Sequence, residues 1–294
     1  MLKIIEKTKI WFAISLIIII TGMVFLFKNG LNYGIDFKGG TVVTINMGKD
    51  ITSDLKKEVQ VIIDKYIPDN ITNTVDKTNL EIKGSNAKDE NITSMFKEIK
   101  DKYKLNDSAL VSKDVIDASV GNELKTKAIE AIVIANVLIL IYVGIRFEFR
   151  FGAAAIVALL HDVLITLSVY AIFQITIDSG FIAAMLTVLG YSMSDTIVVF
   201  DRIRENTRYT RKGDIAELAN ASITQTLARS CYTVMTVIIT LSAVHFLVPS
   251  VNNFTLPLLI GIASGCYSSI FIASPCWVLF KKIGKDKPRK KATA

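Results

Sequence analysis

Six apolar runs, each long enough to cross a bilayer, limit what this chain can fold into more than any other feature. They occupy residues 10–27, 128–145, 151–173, 181–200, 227–248 and 254–280. A spanning helix needs about 20 mostly apolar residues to match a hydrocarbon core roughly 30 Å thick. Lipid supplies no hydrogen-bond partners, so such a run must satisfy its backbone internally, as a helix does. The expected fold is an α-helical polytopic membrane protein with six transmembrane helices. The last run is long enough that tilt or a late start is expected.

Lys3, Lys7 and Lys9 precede the first run, as basic residues precede a signal peptide. The apolar core exceeds a signal h-region and no A-x-A-like site follows, so an uncleaved helix is expected. Charge then sets orientation. The net charge is +7, and its basic residues are clustered. Arg146 and Arg150 lie between the second and third runs. Arg202, Arg204, Arg208, Arg211 and Lys212 lie between the fourth and fifth. Lys281, Lys282, Lys285, Lys287, Arg289, Lys290 and Lys291 fill the tail, 281–294. The loops 174–180 and 249–253 hold no Lys or Arg. The positive-inside rule places both termini in the cytoplasm. No nucleic-acid module accompanies the basic tail, so anionic lipid is its expected partner and no nucleic acid is expected.

Residues 28–127 form one polar insert between the first two spans, on the extracytoplasmic side by this topology; residues 128–280 hold the other five helices. Within the insert, 41–47 is strand-like and 52–66 has helical spacing, with Leu55, Val59, Ile62 and Ile63 on one side and Thr52 or Ser53 as cap. Residues 71–75 and 80–83 read as strands joined by a turn at 76–79. Ile92, Met95, Phe96 and Ile99 stripe a helix over 91–104, and 109–119 is strand-like again. The order β-α-β-β-α-β is the split βαβ, ferredoxin-like α+β pattern. About 100 residues suffice for such a domain to bury its own core. Gly34, Gly39 and Gly40 mark a tight turn before its first strand.

Two ionisable residues stand where hydrocarbon disfavours them. Asp195 lies within 181–200, and Arg229 opens 227–248. A charge at the centre of a spanning helix costs about 2.5–3.5 kcal/mol on insertion scales, and such residues usually mark an ion path. Antiparallel helices would place both at similar depth in the inner half of the membrane. A carboxyl under the opposed influences of burial and a neighbouring guanidinium is a switchable proton site. Thr226, Arg229, Ser230, Thr233, Thr236 and Thr240 follow spacings of three and four, so they share a helix face. Their hydroxyls either hold a water chain or pack helices, and Arg229 either serves the acid or snorkels to the interface. His161 and Asp162, near the middle of the third run, form a second candidate relay or a packing hydrogen bond; both can face the bundle only if that helix is central. Cys231, Cys266 and Cys276 fall within helices and make no disulfide framework. No phosphate loop, metal-ligand cluster or catalytic constellation is present, so no cofactor, metal or enzymatic activity is expected.

Ordered motifs tie these features together. Gly34, Asp36, Phe37, Gly39 and Gly40 follow the first helix; Gly121, Glu123 and Leu124 precede the second. Arg146 to Phe151 and His161-Asp162 flank and enter the third. Gly190, Tyr191, Ser194, Asp195, Thr196, Asp201 and Arg202 run along the fourth, and Thr226 to Ser230 open the fifth. In this set the chain resembles the SecF family, the smaller membrane subunits of the bacterial SecD–SecF protein-export complex, in the resistance–nodulation–division superfamily. The resemblance covers nearly the whole chain. It implies six spanning helices with one extracytoplasmic domain in the bacterial cytoplasmic (inner) membrane. It further implies an accessory role in the Sec translocase, using the proton-motive force with a separate SecD chain to draw polypeptides across. The implied partners are SecD, the SecYEG channel, YidC, exported preproteins and the lipid bilayer. Asp195 matches the family's proton-linked acid and Arg229 its arginine. Ser194 stands where the family usually has Asn, and Ser168 where Gly is expected. The competing expectation is half of a cation-coupled small-molecule efflux transporter of the same superfamily, against which the single small insert argues.

Overall fold

The protein is described by a computed structural model over residues 2–75, 77–85, 87–209 and 214–283. Asp76 of the expected turn, Arg211 and Lys212 of the basic loop, and Lys285, Lys287, Arg289, Lys290 and Lys291 of the tail lie outside the described residues. Helix α1 (Thr8–Asn29) is apolar on all sides, and Ile17 and Ile20 remain exposed, as lipid contact demands. The insert follows: a short helical turn α2 (Ile35–Lys38), β1 (Gly40–Asn46), α3 (Ser53–Tyr66), β2 (Asn70–Thr74), β3 (Asn79–Gly84), α4 (Asp89–Tyr103) and β4 (Leu110–Ile116). Five long elements complete the bundle: α5 (Ala118–Arg146), α6 (Phe149–Phe173), α7 (Ser179–Tyr209), α8 (Ile215–Leu247), and α9 (Asn252–Ser268) continued through a π turn (Ser269–Ala273) into α10 (Ser274–Ile283). Among the described residues, six helices are long and apolar enough to cross a membrane, and the chain is a membrane protein.

In the insert the strands run in the order β2-β3-β1-β4, every neighbouring pair antiparallel. Alternation puts Val43 and Ile45 of β1 and Leu80 and Ile82 of β3 on one face. There they meet Val59, Ile62 and Ile63 of α3 and Ile92, Met95 and Ile99 of α4 in one core. The expected helical stripes are the faces that pack. Thr52 is the cap of α3: its side chain accepts from Leu55 N.

The spanning helices extend past their apolar runs. Helix α5 begins at Ala118, ahead of the expected start at 128, and Asp117 caps it through Ser119 N. Helix α7 continues to Tyr209 because its polar end is paired with itself, Arg202 with Glu205 at 2.6 Å and Arg204 with Asp201 at 2.7 Å. Helix α8 starts at Ile215, capped by Asp214. Helix α6 is central, packing on α1, α5, α7, α9 and α10. Its buried Ala154, Ala155 and Ala158 allow that crowding.

The glycine-rich segment after α1 does more than turn. Gly39 and Gly40 do take φ of +79° and +153°, as the turn reading requires. The residues before them clamp the insert to the bundle. Asn32 O accepts from Ile177 N at 2.8 Å, and Gly34 N donates to Ile177 O at 2.7 Å. The Asp36 carboxylate accepts from Ser179 N at 2.9 Å and Ser179 Oγ at 2.6 Å, capping the first turn of α7. Gly121 of α5 lies so close to α2 that a Cβ there would sit 2.6 Å from Phe37 O.

Candidate functional site

Helix α7 carries polar side chains on two sides, and the two sides differ in how well they are satisfied. Toward α6 and α9 lies a closed hydroxyl network. Asp162 is fully buried and accepts from Ser192 Oγ of α7 (2.6 Å) and from Ser264 Oγ (2.7 Å) and Ser268 Oγ (2.8 Å) of α9. His161 Nδ1 stands 3.1 Å from the same carboxylate, and its Nε2 is 2.9 Å from Ser15 Oγ of α1. Thr196 Oγ1 pairs with Ser269 Oγ at 2.7 Å, in the π turn. Four contacts saturate the carboxylate and tie α6 to α7 and α9, and His161 extends the network to α1. A buried charge is tolerated when its lone pairs are used this fully. The condition set by the sequence, that His161 and Asp162 face the bundle only from a central helix, is met by α6.

Toward α8 the arrangement is open. Asp195 is 8% exposed, and its Oδ2 is buried with no hydrogen-bond partner. Ser230 Oγ is likewise buried and unpaired. Asp195 and Arg229 line one cavity of about 200 Å³ together with Tyr191, Ser194, Val198 and Thr233. Within this cavity the carboxylate and the guanidinium make no ion pair within 4.0 Å. Tyr191 Oη donates to Thr233 O at 3.2 Å and bridges α7 to α8. Asp195 lies fourteen residues from the α7 end at Tyr209, and Arg229 fourteen from the α8 start at Ile215. Counted from the helix ends the two are level, and they stand near mid-helix rather than close to the ends because both helices run on as polar extensions.

The expected polar track on α8 divides. Thr226 and Ser230 are buried, whereas Arg229, Thr233, Thr236 and Thr240 are exposed. Thr226, Thr233, Thr236 and Thr240 each give their hydroxyl to a carbonyl of their own helix. Such back-bonding leaves those hydroxyls no free proton to pass along a water chain. Of the other motif residues, Asp36, Phe37 and Gly121 belong to the clamp described above, and Gly39 and Gly40 to the turn that follows it. Asp201 and Arg202 stabilise the α7 extension, and Glu123 and Leu124 are exposed on α5. Sequence reasoning missed Ser15, Ser192, Ser264 and Ser268. The signal was the four-residue spacing of Ser264 and Ser268, placing two hydroxyls on one face of an apolar run.

The comparisons with known proteins fall on this geometry. Residues 95–283 match the family model described as protein export membrane protein SecD/SecF, C-terminal, and residues 24–51 match the SecD/SecF GG motif. The chain belongs to the SecD/SecF protein-export family. It is similar to the protein translocase subunit SecF of Sebaldella termitidis, 35% identical over 99% of this chain and 95% of that one. It is also similar to SecF of Haemophilus influenzae, at 37% over 90% and 82%. The protein translocase subunit SecDF of Bacillus subtilis is 34% identical over 94% of this chain but only 38% of its own length. Among solved structures, SecDF from Thermus thermophilus, described as a translocon-associated membrane protein, superposes with a TM-score of 0.80 at 32% identity. That match covers 96% of this chain and 39% of that chain. Membership of this family supports a role in protein export. The GG-motif match covers the clamp that ties α2 to α7, so the family's signature segment is the one that joins insert to bundle here.

Proposed function

We propose that this chain pairs with a separate SecD chain and couples the proton-motive force to polypeptide export, with Asp195 as the group that changes charge. The observation that carries this reading is the contrast between two buried acids. Asp162 has every lone pair occupied and ties together three helices, α6, α7 and α9. Asp195 keeps one oxygen free inside a cavity it shares with Arg229. A carboxyl so placed exchanges compensation between a proton and the guanidinium as α7 and α8 shift. One elementary charge crossing 100 mV releases about 2.3 kcal/mol, enough to bias such a shift. His161 and Asp162 act as the fixed wall against which α7 moves, and they relay protons only if that wall opens.

This chain covers 38% and 39% of the matched SecDF chains, which supports association with a SecD-like half. The exposed face of α8, with Arg229 and three threonines at membrane depth, is poorly suited to acyl chains and well suited to such a partner. The sheet order β2-β3-β1-β4 and its connections support the ferredoxin-like reading of the insert, and the positive-inside charge pattern supports its extracytoplasmic position. SecYEG, YidC and preproteins are the remaining partners of this reading. The test is export and proton flux in membrane vesicles. Asp195→Asn keeps the shape and loses the proton, so both should fall. Undiminished export and flux in that variant would sink the coupling role. Driving export with a sodium gradient alone would replace the proton by sodium.

A further inference from the structure

We propose that the junction of α5 and α6 binds the phosphate of an anionic phospholipid, held by the guanidiniums of Arg146 and Arg204, with the acyl chains lying along the exposed face of α5. Arg204 stands nine residues beyond Asp195 on α7, about 13 Å along the helix, so this site is distinct from the cavity between α7 and α8. It does not depend on the export reading.

Three observations select the occupant. First, two guanidiniums converge on one ring. Phe147, in the link between α5 and α6, is 7% exposed, and the Cζ atoms of Arg146 and Arg204 stand 5.5 and 5.0 Å from its centroid. Arg204 Nη1 also donates to Arg146 O at 3.3 Å, which ties this α7 side chain to the end of α5. Like charges gathered on one ring repel, and a shared anion removes the cost. Guanidiniums stacked on an aromatic face keep their planar forks free for phosphate oxygens. Second, the local carboxylates leave charge over. Asp201 lies 2.7 Å from Arg204, and Glu148 lies 2.9 Å from Lys281. Arg146 and Arg150 have no ion pair among the described residues, so two positive charges remain uncompensated at the junction. Third, the neighbours are apolar and open. Ile145 is 83% and Phe149 79% exposed, and Tyr142 and Leu138 continue the exposed stripe along α5 toward mid-span. Free phosphate gains nothing from such a surface, whereas an acyl chain covers it. The charge pattern assigns this end to the cytoplasmic leaflet, where basic pockets between spanning helices take anionic headgroups.

The test reads the lipid retained by the full chain in native mass spectrometry, after release from nanodiscs of phosphatidylglycerol and phosphatidylcholine in equal parts. The chain should keep phosphatidylglycerol in preference to phosphatidylcholine. Arg146→Gln should lower the retained phosphatidylglycerol by about fivefold, the worth of one arginine at an anionic surface. Lys282→Gln removes an exposed charge that does not stack on Phe147, and retention should stay unchanged. Equal losses in Arg146→Gln and Lys282→Gln overturn the proposal, because they mean diffuse attraction rather than a site. So does the lack of any preference in the unaltered chain. Inorganic phosphate tests for a free anion. In phosphatidylcholine nanodiscs it should not raise the melting temperature. A rise that matches the one given by phosphatidylglycerol, and that Arg146→Gln abolishes, overturns the lipid as occupant. If Arg146→Gln does not accumulate, Arg146→Lys takes its place, keeping the charge but not the fork. It should retain less phosphatidylglycerol than the unaltered chain, and equal retention overturns the proposal.

Discussion

Gly22 of α1 faces Ser168 of α6 so closely that any Cβ at position 22 would overlap the serine side chain. Ser168 departs from the glycine expected there by family resemblance, and the missing atom volume is supplied from the opposite helix. Gly22→Ala should therefore overpack the contact and cost about 1–3 kcal/mol. Thermal unfolding in detergent measures it. Ser168→Gly in the same chain should restore most of the loss, and a double variant no more stable than Gly22→Ala would show that the contact does not couple.

The two buried acids should fail in different ways. Asp162→Ala leaves three serines and His161 without their acceptor and should destabilise the bundle by about 3–5 kcal/mol, read as lost thermal stability together with lost export. Asp195→Asn should lose export with little change in thermal stability, since Oδ2 makes no hydrogen bond to lose. A similar melting shift for both variants would contradict the division of labour.

Removing the cap that Asp36 gives α7 should loosen one end of that helix. Asp36→Ala is expected to cost about 0.5–2 kcal/mol. Hydrogen exchange should speed at residues 177–181 while α3 and α4 keep their protection. Unaltered exchange at 177–181 would mean that the clamp is held by Gly34 and Asn32 alone.

Acid should weaken the insert at one identifiable point. The Lys65 ammonium and the Tyr66 hydroxyl, at 2.8 and 2.7 Å, hold the Glu98 carboxyl below its ordinary value of 4.5. A depressed folded-state value means that the support is present above pH 4.5 and is lost as pH falls through the lower value. Hydrogen exchange of α3 and α4 in the full chain should therefore rise on acidification below pH 4.5. Glu98→Gln should show a smaller rise. Identical acid responses in the two chains would assign the effect to other carboxylates.

Much of this architecture is legible in the sequence because periodicity reports local geometry. The stripe Val59, Ile62, Ile63 and the alternation through Val43 and Ile45 each name the face that becomes buried. Asp195 and Arg229 stand out because hydrocarbon makes charge costly. The helix ends are less legible: Arg202 and Arg204 read as lying between the fourth and fifth apolar runs until their pairs with Glu205 and Asp201, one turn away, show them extending α7. The clamp was hidden for another reason. Asp36 and Ser179 are 143 positions apart, and no local rule links a carboxylate in a glycine-rich turn to a helix cap that distant. The serines around Asp162 were equally quiet, since a hydroxyl in an apolar run looks the same whether it binds its own helix, as Thr233 does, or an acid on another.

The cap between Asp36 and Ser179 makes α7 a lever with its fulcrum at the insert. At about 1.5 Å per residue, Asp195 hangs roughly 24 Å below that pivot, so a lean of about 5° swings the carboxyl sideways by about 2 Å. A swing of that size is enough to make or break a hydrogen bond, whose donor and acceptor stand about 2.7–3.2 Å apart. On the proposed coupling, motion of the folded insert and the ionisation of one oxygen in the bundle would be two readings of the same small angle.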